Sequence, residues 1–241
     1  MSEVPEIRQV ADVDCRFEPR EWSFLTENRA RIDAHWRRVS ADKPAMFNGR
    51  VLLADQWSVT DGVFRARFFE TDYAAFLAFL AFGTDEATAW NVFAMAALRG
   101  SDGPFLLGEM GAHTAHAGKI YFPAGTPDRD DIRGDVVDLA GSVMRELTEE
   151  TGLTADDVSI GVGWTLVHVD RKVALMREIR SRLSADDLLD RVNRTLSADP
   201  DAELARLHVV RDPTGIDATR MPPVQQAYLR HALAGPSQRT G

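Results

Sequence analysis

Residues 145–153 read Arg-Glu-Leu-Thr-Glu-Glu-Thr-Gly-Leu, which puts three carboxylates (Glu146, Glu149, Glu150) and one guanidinium (Arg145) within two turns of any helix formed there, with Gly152 after them. At about 100° per residue the three glutamates share an arc of roughly 100°, while Ala140, Met144 and Leu147 lie toward the other side. One face is acidic and the other can pack. Like charges at i,i+4 repel by a few tenths of a kcal/mol per pair, and a divalent cation would offset that repulsion. Carboxylate oxygens are hard ligands suited to Mg²⁺, which is commonly held by one or two carboxylates plus the phosphates of a substrate. The spacing therefore points to metal-assisted chemistry on phosphate. The alternative is a solvated acidic helix closed by a glycine C-cap, in which Arg145 simply pairs with Glu149 one turn away.

The same string resembles the second half of the Nudix box, whose family pattern is G-x5-E-x7-R-E-U-x-E-E-x-G-U with U an aliphatic residue. Arg145, Glu146, Leu147, Glu149, Glu150, Gly152 and Leu153 fill all seven defined positions of that half. On average residue usage a chance match in a chain this long is on the order of 1 in 10⁵, which favours the resemblance over the solvated helix. The first half of the box departs from the pattern. Val137 stands where the family has its first glutamate, and Asp131 where it has its glycine. Pro123-Ala124-Gly125 looks like the turn that opens the box, so residues 126–138 form an insertion and Gly125 becomes the shifted glycine. The insertion carries Asp128, Asp130, Asp131, Asp135 and Asp138 with Pro127 and Gly134. It reads as a loop of solvated aspartates, and Asp138 as the N-cap of the helix that follows rather than a metal ligand.

The resemblance implies a pyrophosphohydrolase acting on a small nucleoside diphosphate derivative, that is, on a diphosphate joined to another group. Glu146 and Glu150 would hold Mg²⁺ or Mn²⁺, and Glu149 would join them or deprotonate the attacking water. Arg145 would orient the glutamates, and the Gly125 carbonyl would face the metal. A bound cation neutralises charge developing on the phosphoryl oxygens and lowers the pKa of its water, and a loose phosphoryl-transfer transition state asks mainly for positioning and electrostatics. With Val137 at the first glutamate position the water-activating base is left open. Glu178, on a later strand, is one replacement, a surface charge being its other reading. The long N-terminal extension, the offset turn and the lead-in at residues 138–143 resemble the UDP-sugar-hydrolysing branch, so a UDP-sugar is the expected substrate. The competing expectation is a Nudix-like module that binds a nucleotide metabolite without turnover. Many members of the family form dimers, and a homodimer is compatible with the chain although no dimer surface stands out.

Substrate contacts are expected from the stretch before the box and from a later strand. His113, His116 and Lys119 precede the Pro123 turn, either as substrate groups or as a partly exposed loop and strand entry, and Lys119 is the best phosphate candidate, since a lysine brings charge without proton exchange at neutral pH. Trp164, His168, Arg171 and Lys172 bracket the later strand, with Arg171 the chosen cation there; Trp164 reads more naturally as core. Arg65 and Arg177 are further cations on expected strands, better read as solvated.

The elements that must hold these groups follow from period and turn chemistry. A helix is expected over 21–40, a hairpin from strands at 50–56 and 59–69 around Thr60-Asp61-Gly62, and a helix over 71–82. Strands at 92–99 and 104–109 flank Gly100-Ser101-Asp102-Gly103, and a short strand at 119–122 enters the Pro123 turn. Beyond the acidic helix come strands near 157–170 and at 172–180, a helix capped by Ser184 reaching about 195, a strand at 203–210 and a helix over 222–234. Residues 1–20 show little periodicity. The order is α/β, a Nudix-type α/β/α sandwich with a mixed sheet plus an N-terminal α+β extension. The expected division is an accessory region 1–87, a hydrolase domain 88–235 and a frayed tail 236–241.

Composition frames this. The 241 residues can bury a large core. A formal charge of −9 argues against nucleic acid as a partner, because such binders present a basic surface. A single cysteine, Cys15, rules out an internal disulfide and fits a reducing compartment. No apolar run approaches the length of a membrane span, so neither a membrane anchor nor a leader is expected, and the expected location is cytoplasmic.

Overall fold

A computed structural model describes residues 4–41, 43, 46–83, 89–114 and 116–234. Strands β1 (Glu6–Val10) and β2 (Asp12–Phe17) precede helices α1 (Ser23–Glu27) and α2 (Arg29–Ser40). A long hairpin, β3 (Arg50–Thr60) and β4 (Val63–Asp72), leads into α3 (Tyr73–Phe82). Then come β5 (Asn91–Arg99), β6 (Phe105–Met110), β7 (Ile120–Tyr121), β8 (Ile132–Arg133), β9 (Val136–Val137) and α4 (Leu139–Thr151). The chain continues through β10 (Val158–Ile160), β11 (Trp164–Val169), β12 (Lys172–Ser181), α5 (Ala185–Ala198), β13 (Leu204–Val210) and α6 (Pro223–Leu233).

The strands form two mixed sheets. The larger runs β1-β11-β12-β5-β6-β13, with β10 on β12 and β7 on β6, and among the described residues its one parallel pair is β12 with β5. The smaller runs β3-β4-β2-β9-β8, with β2 parallel to β4. Along β5 the pleat splits the core: Val92, Ala94, Ala96 and Leu98 join one apolar cluster, Met95 and Ala97 the other. A strand buried on both faces loses the simple apolar-polar alternation. The first cluster joins Leu52, Phe64 and Phe68 of the smaller sheet to Leu147 of α4 and Val192 of α5. The second packs Val224 and Tyr228 of α6 against the opposite face of the large sheet. Helices thus cover both faces of a mixed sheet, as the α/β expectation required. A third cluster, built from Trp22, Phe24, Phe69 and Phe79, joins the N-terminal helices to the outer face of β3 and β4.

Three expectations need correction. Residues 6–17 form two strands, and β1 pairs with β11 at the edge of the large sheet. Both are largely polar and only partly buried, so no apolar period announced them. The helix expected over 21–40 is broken at Asn28, whose side-chain amide donates to the Phe24 carbonyl at 3.0 Å. The insertion before α4 is not an open loop. It forms a 3₁₀ turn (Arg129–Asp131) and the two-residue strands β8 and β9, and β9 pairs with β2 through Val136 and Arg16.

Other expectations hold. Asp61 and Gly62, both at positive φ, close the β3-β4 hairpin with the two-residue turn that matches strand twist. Ser184 caps α5 by accepting from the Asp187 N–H at 3.2 Å. The expected boundary at 84–88 and the tail at 236–241 lie outside the described residues. Among the described residues no helix is long and apolar enough to cross a membrane.

Candidate functional site

Helix α4 starts where the Asp138 carboxylate accepts from the Gly141 N–H at 2.9 Å, and it stops where Gly152 turns left-handed at φ +70°. Leu139, Val143 and Leu147 are buried in the core and fix the rotation of the helix. That rotation divides the three glutamates. Glu150 points inward and is buried; Glu146 keeps 13% of its side chain exposed; Glu149 stands out at 59%.

The inward pair sits against the Pro123 turn. The Ala124 N–H donates to Glu150 Oε1 at 3.2 Å. A Cβ added at Gly125 would run into the Glu146 carboxylate, so the shifted glycine permits a close approach that no other residue allows. Gly125→Ala should therefore fold with nearly wild-type stability, since the flexible tip of Glu146 can swing aside. Magnesium affinity should fall by roughly tenfold, about 1.4 kcal/mol, in a calorimetric titration; an unchanged affinity would remove Gly125 from the site.

Arg145 is held by the insertion. Its Nη2 donates to both carboxylate oxygens of Asp131 at 3.1 and 3.3 Å, and its Nη1 reaches Glu146 at 2.9 Å and Glu149 at 3.3 Å. Burial alone would lower the pKa of this guanidinium, but the Asp131 hydrogen bond and the charges of Glu146, Asp131 and Glu149 outweigh it and raise it. Asp131 is 2% exposed and also accepts from the Asp128 N–H at 3.1 Å. It is therefore not a solvated loop aspartate, as expected, but the buried counter-ion of Arg145. Sequence spacing could not show this, because folding the insertion into a 3₁₀ turn decides which of its aspartates turns inward.

Burial pushes the Glu146 carboxyl up from 4.5 to about 7, against the pull of Arg145 and with the push of Glu149, Asp131 and Glu203. Burial likewise raises Glu150 well above the usual range; the Ala124 N–H lowers it, and Glu146, Glu203 and Glu149 raise it further. A folded carboxyl with a raised pKa keeps a proton that the unfolded chain releases. Its stabilising effect is complete below about pH 4.5 and is lost as pH rises through about 7. In the metal-free protein, thermal melts of wild type and Glu146→Gln should therefore diverge between pH 5 and 8, with the glutamine variant the more stable at the high end. A difference that stays flat across this range would contradict the buried placement of Glu146.

A cavity of about 540 Å³ opens beside this pair, lined on its acidic side by Gly125, Glu150, Asp201 and Glu203. Glu203 precedes β13 and acts electrostatically on both Glu146 and Glu150. Nothing local in the sequence gives Glu203 a role, since a strand start some fifty residues after the box carries no signal that it faces the helix. Of the expected substrate groups, His116 lines the cavity, with its ring 5.7 Å from that of Tyr121. Burial, and then Lys172, Lys43 and Lys119, lower its pKa. Lys172 and His113 line the cavity as well. Lys119 Nζ instead donates to the Thr219 carbonyl at 3.1 Å, and Arg171 lies over the Phe79 ring at 4.8 Å; neither lines the cavity. Glu178 is tied to Arg99 at 3.1 Å and Arg180 at 3.2 Å, away from the cavity lining. Trp164 is core, with Arg177 over its ring at 4.7 Å.

Among the described residues no three His, Cys, Asp or Glu side chains gather closely enough to cage a metal by themselves. The donor set still suits magnesium, which keeps several waters and needs few protein carboxylates when phosphate supplies the rest. Two neighbouring carboxyls whose pKa values are held up by burial are groups that a cation would ionise.

No family model matches the chain, and no curated protein matches it. Solved structures do. The chain is similar to a Nudix hydrolase from M. smegmatis, RenU, at 12% identity and TM-score 0.39, over 61% of this chain and 88% of that one. It is similar to the MutT protein from Methanosarcina mazei Go1 at 18% identity and TM-score 0.39, over 59% and 92%. It is also similar to the Bacillus subtilis pyrophosphohydrolase BsRppH at 17% identity and TM-score 0.26, over 49% and 60%. Beside these likenesses stands the motif at residues 145–153, which resembles the second half of the Nudix box.

Proposed function

We propose that this protein is a divalent-cation-dependent hydrolase of the phosphoanhydride bond in nucleoside diphosphate derivatives. The observation that carries the proposal is the inward pair Glu146 and Glu150, one turn apart on α4 and seated against Gly125 at the edge of a cavity of about 540 Å³. Glu146 and Glu150 would hold Mg²⁺ or Mn²⁺, which supplies Lewis acidity at the phosphoryl oxygens and an acidified water. Asp131 holds Arg145, and Arg145 in turn orients Glu146 and Glu149. Glu149, at the solvent side, accepts the proton of the attacking water. Lys172 offers charge to the phosphates and His116, its pKa lowered by burial, a neutral imidazole for hydrogen bonding, while Tyr73, Phe76 and Phe93 line the cavity where a base or sugar would lie. UDP-sugars are the first substrates to test, on the strength of the lead-in at residues 138–143. The lone, buried Cys15 is compatible with a cytoplasmic setting.

The test is a metal-dependent hydrolysis screen over UDP-sugars, ADP-ribose, dinucleoside polyphosphates and coenzyme A, following release of the nucleoside monophosphate. One substrate cleaved with Mg²⁺ and spared in EDTA supports the proposal. A second reading, a nucleotide-metabolite binding module without turnover, draws on Val137, buried in the core where the family places a glutamate. Metal-independent binding with no product at high protein concentration would establish that module and end the enzymatic proposal.

A further inference from the structure

A second recess lies on the smaller sheet and the insertion, and it shares no lining residue with the cavity beside α4. Arg20, Arg50 and Arg129 line it, with Phe17, Ile132 and Glu70. Glu70, 12% exposed, is the single carboxylate among the described lining residues and serves two cations: Arg50 Nε at 2.5 Å, and Arg129 through both Nε and Nη2, the latter at 2.9 Å. Behind them the fully buried Asp55 carboxylate is shared by Arg20 and by Arg67, the latter through two bonds at 2.9 and 3.0 Å. Glu18 lies 3.6 Å from Arg67. Four guanidiniums thus face three carboxylates, and only one of those three lines the recess, in a chain whose net charge is −9.

The hydrogen-bonding inventory points the same way. A guanidinium has five N–H donors in a fixed fork. Among the described residues, Nη1 and Nη2 of Arg50, Nη1 of Arg129 and Nη2 of Arg20 have no partner. Glu70 and Asp55 therefore serve as an anchored base from which three forks keep donors to spare. Phosphate oxygens match such forks in geometry and charge, and several arginines converging on one recess suit a polyanion better than a single carboxylate. Phe17 and Ile132 add an apolar ledge.

We propose that the Arg20-Arg50-Arg129 recess binds the phosphate or diphosphate group of a small metabolite, as a site separate from α4. Inorganic diphosphate titrated calorimetrically into the protein in EDTA at low ionic strength is the test, because without a cation the acidic cavity repels the same probe. One saturable site is expected, weakened at least tenfold in Arg50→Ala and in Arg129→Ala and changed less than twofold in Glu150→Gln. Should either arginine variant fail to fold, the Nε–Hε resonances of the wild-type protein decide: those of Arg50 and Arg129 should shift with diphosphate while that of Arg145 stays. Absence of binding, binding no tighter than that of acetate, loss of binding in Glu150→Gln, or unshifted Arg50 and Arg129 resonances would each overturn the proposal.

Discussion

Glu150→Gln should melt at a higher temperature than the wild-type protein without metal, and should lose both magnesium-induced stabilisation and hydrolysis. The three effects share one cause. Glu150 is buried, its single hydrogen-bond donor among the described residues is the Ala124 N–H, and the charges of Glu146, Glu203 and Glu149 press on it. Ionising such a group in the folded protein is costly, so removing the charge while keeping an amide oxygen for Ala124 relieves the fold at neutral pH. The same substitution removes a ligand proposed for the cation. Loss of several kcal/mol of transition-state stabilisation amounts to roughly a thousandfold in rate at about 1.4 kcal/mol per factor of ten. Melting curves with and without Mg²⁺, together with initial rates on the best substrate, check all three effects. A variant that melts lower but keeps its metal shift would show that Glu150 is structural and that the cation binds elsewhere.

Asp131→Ala should be the most damaging change outside α4. The carboxylate is buried and anchors Arg145 with two bonds, and it also accepts from the Asp128 N–H. Breaking a buried pair from one side costs about 3–5 kcal/mol when the remaining charge is trapped. Arg145 keeps 32% of its side chain exposed, so water takes part of the load and about 2 kcal/mol is the expected loss. For a domain of this size that lowers Tm by roughly 4–8 °C. Activity should fall further than stability does, because the freed guanidinium stays within reach of Glu146 and Glu149 but no longer has a fixed direction. Asp131→Asn should recover most of the stability and less of the rate. Equal recovery of both would assign Asp131 to the fold alone.

Much of this was readable from the chain. Local rules sufficed for the α4 boundaries, since Asp138 and Gly152 act on atoms at most four residues away. The same holds for the Asp61-Gly62 hairpin and for the Ser184 cap, and the seven-position motif marks the acidic face from the sequence alone. Strands β1 and β2 escaped because polar, half-exposed strands leave no apolar alternation to detect. His116 was found beside the cavity, but Lys119 and Arg171 were not: their neighbours in space, Thr219 and Phe79, lie far away in sequence.

Short-range chemistry in residues 138–153 was enough to say that a helix would form, where it would start and stop, and that three glutamates would share a face. Packing of Leu139, Val143 and Leu147 into the core selected Glu146 and Glu150 to turn inward and left Glu149 in water. Long-range closure brought Gly125, Glu203 and Asp131 to that helix from three separate segments. Caps and turns act through one or two covalently near neighbours, whereas burial and charge coupling depend on groups that meet only once the sheets have assembled, which no local pattern encodes.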